Sequence, residues 1–281
     1  MLELPEVEVL RKDLEKEVVG KKVKDVVVET DALVTSLHGR AKDFVTALSG
    51  RTIEAVRRRG RVLFLDLDDA HTWLLDPGEQ GYLHRQAAAE TAGADTHLTV
   101  DFTVDYALHL TEPGGQVSAR TGVVAADQAL EAAEVAPDAL DPLDDNPTWM
   151  EFGRFLHAAD QPLKLLLMDP TVIAGIGPVY SDEILWEAGL RHDRQSASLS
   201  TQEVRRLYRA MQEVLQAAMK AAGSGLDESD ADVSSDDDGE AAEHLHVYGR
   251  EGLPCHRCRK PIARTRIRKG VHTFHCPQCM I

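Results

Sequence analysis

Four cysteines, Cys255, Cys258, Cys276 and Cys279, are the only ones in the chain, and they stand in PCHRC and HCPQC. Their spacing is C-x2-C-x17-C-x2-C. Four thiolates in two close pairs can surround one tetrahedral zinc ion at ~2.3 Å. Each x2 spacing suits a tight knuckle, and the stretch between the pairs suits a β-hairpin. All four ligand positions are then filled by protein, which makes the expected zinc structural and not catalytic. Two disulfides or free thiols are the alternative. The absence of a visible secretory signal, with every cysteine in these pairs, favours the metal. His256, His272 and His275 lie nearby and read as surface residues of the hairpin.

Between Arg250 and Lys269 stand eight basic residues and one acid, Glu251. The RTRIRK run carries Arg264, Arg266 and Arg268 as candidate phosphate contacts, with a merely solvated hairpin as the alternative. A second basic cluster is Arg57, Arg58, Arg59 and Arg61. In the stretch AGIGP, Gly175 and Gly177 allow positive φ and close backbone approach, just before a helix whose N-terminus favours an anion. Such a turn also serves simply to connect two helices. The net charge of −16 by itself argues against a nucleic-acid binder. Its distribution qualifies that, because nine carboxylates and no cation fall within residues 226–243. Local field, more than the total, steers a polyanion.

These residues need elements to hold them. Residues 5–19 read as an amphipathic helix, opened by Pro5 and stopped by Gly20. KVKDVVVE, TIEAVRRR, RVLFLDL, THLTVDFTV and YALHLT read as strands. One helix with several short strands is most simply an antiparallel sandwich. Residues 121–148 read as a short helix and then a linker. WMEFGRFLHAA, PLKLLLMD, PVYSDEILWEAGL and TQEVRRLYRAMQEVLQAAMKAA are four candidate helices. The expected fold is therefore a multidomain α+β chain. It has a β-sandwich with an N-terminal helix (1–125), a linker (126–148), a helical domain (149–225), an acidic loop expected to be disordered (226–243) and a zinc finger (244–281). No run approaches the length of a membrane span, and the cytosol or nucleoid is the expected location.

Three separated segments point to one family. MLELPEVEVLR at the start, LKLLLMDPTVIAGIGPVYSDEILWEAGL in the helical part, and VYGREGLPCHRC with HCPQC at the end resemble the formamidopyrimidine-DNA glycosylase and endonuclease VIII family. The resemblance spans essentially the whole chain, in order. It implies a β-sandwich carrying the N-terminal helix, a helix–two-turns–helix domain and a zinc finger, with double-stranded, damaged or distorted DNA in the cleft between the lobes. It also implies excision of oxidised bases followed by cleavage of the abasic strand through β-elimination. In that family an N-terminal proline amine attacks the sugar and forms a Schiff base, while a neighbouring glutamate handles protons.

Carried over residue by residue, Glu3 matches the catalytic acid and Glu6 the second N-terminal glutamate. The nucleophilic proline position is Leu2. A bulky second residue generally blocks removal of Met1, which displaces the amine by roughly 3.5 Å of chain. The family's hairpin lysine falls on Arg61, which keeps a charge but cannot shuttle protons. Lys164, Gly175, Gly177, Tyr180 and Arg250 match DNA-contacting or turn positions, beside Arg264, Arg266 and Arg268. The base-probing segment becomes DPGE, with Asp76 and Glu79, and the wedge becomes Gly115 and Gln116. The asparagine of the phosphate turn is Pro178, and the finger arginine is Val271. The expectation is a DNA-binding member of the family in base-excision repair, a monomer, with impaired lyase chemistry. Two alternatives stay open: an active, monofunctional glycosylase using Glu3 and the terminal amine, and a regulatory module whose acidic loop mimics DNA or holds a protein partner.

Overall fold

The computed structural model describes residues 2–78, 80–87, 93–104, 106–114, 117–222 and 245–281. They fall into two compact units, one built from the chain up to Val135 and the other from Ala136–Ala221 with the C-terminal segment ending at Ile281.

The first unit opens with α1 (Leu4–Val18). Pro5 occupies the first turn, where a missing N–H costs nothing. The Glu6 carboxylate accepts the Glu3 backbone N–H at 3.0 Å and satisfies one end group. Leu4, Val7, Leu10, Leu14 and Val18 recur every three or four residues and are all buried, which fixes the inward face. One sheet has the order β1 (Val23–Val28), β6 (Thr96–Phe102), β7 (Tyr106–Thr111), β5 (Tyr82–Ala87). The other runs β2 (Ile53–Arg59), β3 (Val62–Leu67), β4 (His71–Asp76), β8 (Arg120–Ala125). Every strand pair in both is antiparallel. Val26, Val100 and Leu108 of the first sheet share one apolar core with Val56, Leu65 and Trp73 of the second and with Leu10 and Leu14 of α1. The expected sandwich with an N-terminal helix is therefore present.

Three strands departed from the sequence reading. β4 and β5 were not singled out, and β8 runs from Arg120 into the stretch read as helix and linker. Gly122 weakens the strand pattern of RTGVVA. The fold needs it there: a Cβ would lie 2.5 Å from the Leu37 side chain of α2 (Ala32–His38). That helix and α3 (Ala41–Leu48) are short and also went unread. A brief helix, α4 (Ala129–Ala132), follows β8.

The second unit holds α5 (Trp149–Ala159), α6 (Leu163–Leu167), α7 (Pro178–Ala188) and α8 (Thr201–Ala221), then the hairpin of β9 (Ala263–Arg268) and β10 (Val271–His275). A capping box starts α5, where Glu151 Oε2 accepts the Thr148 N–H at 2.8 Å. The α8 stripe Val204, Leu207, Met211, Leu215, Ala218 is buried. α7 is buried nearly all round, from Tyr180 to Ala188 with only Glu187 half-exposed. No described helix is long and apolar enough to cross a membrane.

Candidate functional site

In the first unit the candidate chemistry lies at the head of α1. Leu2 is half-buried and packs against the sandwich core. Glu3 is the N-cap of α1 and is wholly buried. Glu6 is half-buried and caps the Glu3 N–H. One turn on, Glu8 takes Arg58 Nε at 3.0 Å and Arg11 NH2 at 3.1 Å. The Arg58 side chain is fully buried, and its NH1 donates to Gly60 O at 2.9 Å. This link ties α1 to the β2–β3 turn that carries Arg61, itself half-exposed. Burial acts to raise the Glu8 carboxyl, but hydrogen bonds and charge from Arg11 and Arg58 outweigh it and hold the group below its ordinary range.

The arginine cluster of β2 is therefore not a uniform phosphate patch. Arg57 is engaged twice by Asp66 at 2.6 Å, and Arg58 is internal. Asp76 accepts the Gly78 N–H at 3.0 Å and pairs with Arg120 at 3.3 Å. Met1, Glu79, Gly115, Gln116 and the acidic tract lie outside the described residues.

In the second unit the glycine turn separates α6 from α7. Gly175 has φ +89°, the left-handed region that favours glycine. Gly177 is different from the expectation: it is the extended N-cap of α7, and Pro178 fills the first helical position. Lys164 requires a correction. It was expected among the DNA contacts, yet it is fully buried. Its ammonium pairs with Asp182 at 2.7 Å and donates to Pro178 O at 2.7 Å, fastening α6 to the start of α7. Tyr180 is also nearly covered, at 3% exposure.

Asp169, at the opening of the turn, accepts from Thr171 N at 3.0 Å and from Gln161 Nε2 at 3.2 Å. Burial acts to raise its carboxyl, but these donors and the Arg268 charge hold it below its usual range. The field of Arg268 on β9 therefore reaches the turn. Arg264 and Arg266 pair with Phe274 and His272 of β10, while a register irregularity pairs Arg268 with Val271; all three arginines are exposed. Arg250 is half-buried, and Val271 faces Arg268 across the hairpin.

α7 is also the platform for the finger. Asp182 accepts the Thr273 hydroxyl at 2.5 Å and the Phe274 N–H at 2.8 Å. Glu183 accepts the backbone N–H groups of His246, Val247 and Tyr248 at 2.8–2.9 Å. Burial pushes both carboxyls above the usual range, opposed at Asp182 mainly by Lys164 and at Glu183 by the three N–H donors. At the far end of α7, Arg257 donates to Trp186 O at 2.6 Å, pairs with Glu187 at 2.6 Å and lies over the Trp186 ring at 3.9 Å. His246 packs on that ring at 4.4 Å between centroids.

The four cysteine sulfurs all lie within 4.8 Å of one another. None is in a disulfide. Cys255 and Cys279 are 3.9 Å apart, and Cys258 and Cys276 3.4 Å. Sulfurs bound at ~2.3 Å around a tetrahedral centre would be about 3.8 Å apart, so the quartet fits such an ion. Burial acts to raise the Cys255 thiol, yet N–H groups around it, those of Cys258 and Arg257 among them, bring it down to about 6. His275 is not the surface residue expected: it is half-buried and packs edge-on to His192 at 5.0 Å. The Glu8–Arg58 pair and the role of Trp186 escaped sequence reasoning, since neither has a short-range motif.

Comparison with known proteins bears on both units. Residues 1–115 match the family model described as formamidopyrimidine-DNA glycosylase N-terminal domain. Residues 138–230 match the formamidopyrimidine-DNA glycosylase H2TH domain. The formamidopyrimidine-DNA glycosylase of Nocardioides sp. is 35% identical over 291 aligned positions, covering 99% of this chain and 94% of that protein. That of Desulfitobacterium hafniense is 28% identical over all of both chains. Among solved structures, Lactococcus lactis Fpg in complex with DNA containing an abasic site superposes with a TM-score of 0.83 at 25% identity, covering 99% of each chain. The same protein with DNA containing Fapy-dG gives 0.84 at 26% identity, again over 99% of each chain.

Proposed function

The chain belongs to the formamidopyrimidine-DNA glycosylase family, a family of base-excision repair enzymes, and on that premise we propose that it is a monomer that binds damaged double-stranded DNA with its lyase step impaired by Leu2. DNA binding is supported by the similar structures, which are complexes with abasic or Fapy-dG-containing DNA. On this chain the candidate phosphate contacts are the exposed Arg264, Arg266 and Arg268 of β9, Arg61, and the N-terminal end of α7 beyond Gly175. Lys164 acts behind that surface, by holding α7 to α6. The four cysteines hold one zinc ion that shapes the finger and takes no part in the reaction. Arg250 shares the chain segment that enters the finger.

The observation that carries the altered chemistry is the residue at the head of α1. Glu3, the expected proton-handling acid, is kept and wholly buried as the N-cap. The residue before it is a leucine packed on the core. An amine carried by Met1 stands one residue away from the family's nucleophile, and an error of about 1 Å already costs ~100-fold. A monofunctional glycosylase working through Glu3 and water is the second reading, favoured by the retention of that carboxylate.

Borohydride trapping on an abasic duplex tests the proposal, with intact-protein mass fixing which residue carries the amine. The wild-type chain is expected to bind the duplex in a salt-dependent manner yet to trap at least ~100-fold less adduct than Leu2→Pro freed of Met1. Efficient trapping by the wild type overturns the impaired-lyase reading, and failure to bind overturns the DNA reading. Base release without trapping, abolished by Glu3→Gln, selects the monofunctional reading.

A further inference from the structure

Outside the cysteine quartet, two histidines of the finger bring ring nitrogens together. His246 Nδ1 and His256 Nδ1 are 3.3 Å apart, and the rings meet edge-on at 77° with centroids 5.3 Å apart. Neither imidazole has another hydrogen bond among the described residues. Two imidazole nitrogens bound at ~2.0–2.1 Å to a tetrahedral ion stand about 3.3–3.4 Å apart, whereas hydrogen bonds from N–H groups cluster at ~2.9–3.0 Å. The separation is thus the bite of a metal chelate. Both residues are also fixed by their frame. The His246 backbone N–H donates to Glu183 Oε2 at 2.9 Å, and its ring packs on Trp186 at 4.4 Å. His256 sits on the first knuckle, where the Cys255 N–H donates to Lys260 O at 2.8 Å and Cys255 O accepts the Arg259 N–H at 2.9 Å. Arg257, on the same knuckle, is matched by the Glu187 carboxylate at 2.6 Å, which lowers the positive charge an incoming cation meets. His256 is exposed and His246 half-buried, so the pair is open to solvent.

We propose that His246 and His256 form a second metal site, separate from the four cysteines: a two-nitrogen chelate for one divalent transition-metal ion of the zinc class, with water in its remaining positions. Imidazole donors select such ions over magnesium and calcium, which take oxygen ligands. With two of four positions open, this ion exchanges with solution, unlike one enclosed by four thiolates. Because both histidines are already placed, the second metal–nitrogen bond closes within a formed bite. Joined binding elements of this kind commonly gain ~100-fold or more over one element alone. The site rests on the finger frame that the cysteine-bound zinc of the proposed function maintains.

The full chain, loaded with one zinc ion per molecule and freed of excess metal, is titrated with cobalt(II). Cobalt accepts tetrahedral nitrogen and water ligands and binds a common site more weakly than zinc, so it leaves the cysteine-bound zinc in place. One further ion per chain is expected, its visible bands lacking the intense sulfur-to-cobalt absorption of a thiolate site. Pseudocontact shifts of the wild-type backbone amides should place that ion between His246 and His256. His246→Gln should bind it ~100-fold more weakly while keeping the zinc on its cysteines. Absence of a second ion, a second ion located elsewhere, or undiminished binding by His246→Gln overturns the proposal. A chain that retains no zinc on its cysteines overturns the metal reading of the quartet, and with it the frame on which the second site depends. The shift measurement needs no variant, so a misfolded His246→Gln leaves the question decidable.

Discussion

At the scale of single residues, charge inside the molecule is used for fastening. Glu8 lies between Arg11 and Arg58, and the Arg58 side chain has no exposure at all. Removing one partner of such a pair strands the other charge, which costs about 3–5 kcal/mol. Glu8→Gln should lower stability at neutral pH by roughly that amount. Because the folded-state carboxyl lies below its ordinary value, its contribution is complete above pH ~4.5 and is lost as the pH falls through the folded-state pKa. Thermal melts of wild type and Glu8→Gln should therefore converge in acid; a gap that persists unchanged at low pH would refute the assignment. The sequence does not disclose this pair. Arg58 reads as one of four adjacent cations, and only strand pairing decides that Arg57 goes to Asp66 and Arg58 turns inward. Lys164 is hidden from sequence reasoning for the same reason, since its counter-charge Asp182 comes from another helix.

At the scale of elements, β9 and α7 do different work. The three arginines of β9 are all exposed, with Arg268 set off from Arg264 and Arg266 by the irregularity in the hairpin register. If the three neutralise phosphates, replacing them together by glutamine should weaken duplex binding. It should also reduce the slope of log K against log salt by about 3, at ~0.9 per contact. An unchanged slope would mean that the hairpin is only solvated. The knuckles were legible because covalent spacing dictates them, and α1 because its apolar period is regular. That Asp182 takes the hairpin and Glu183 the 246–248 segment depends on long-range packing. β8 was missed because Gly122 lowers strand propensity while serving a close approach to Leu37.

At the scale of the whole molecule, a chain of net charge −16 has to bring a polyanion to a small number of cations. Residues 227–243 carry nine of its carboxylates, and their removal would bring the net charge to −7. Deleting them should tighten DNA binding and steepen its salt dependence, as followed by fluorescence anisotropy; unaltered affinity would show that the tract is electrostatically idle. The two-unit plan and the family were legible because the informative segments sit at the start, middle and end of the chain. The fate of individual side chains was not, since burial and pairing are decided by neighbours distant in sequence. α7 has commitments at both of its ends, to the glycine turn and to the knuckles, along 11 residues that turn once every ~3.6. A one-residue insertion within it would swing everything downstream by about 100°, unseating hairpin and indole together. The helix can therefore tolerate exchanges of side chain far more readily than any change in its length.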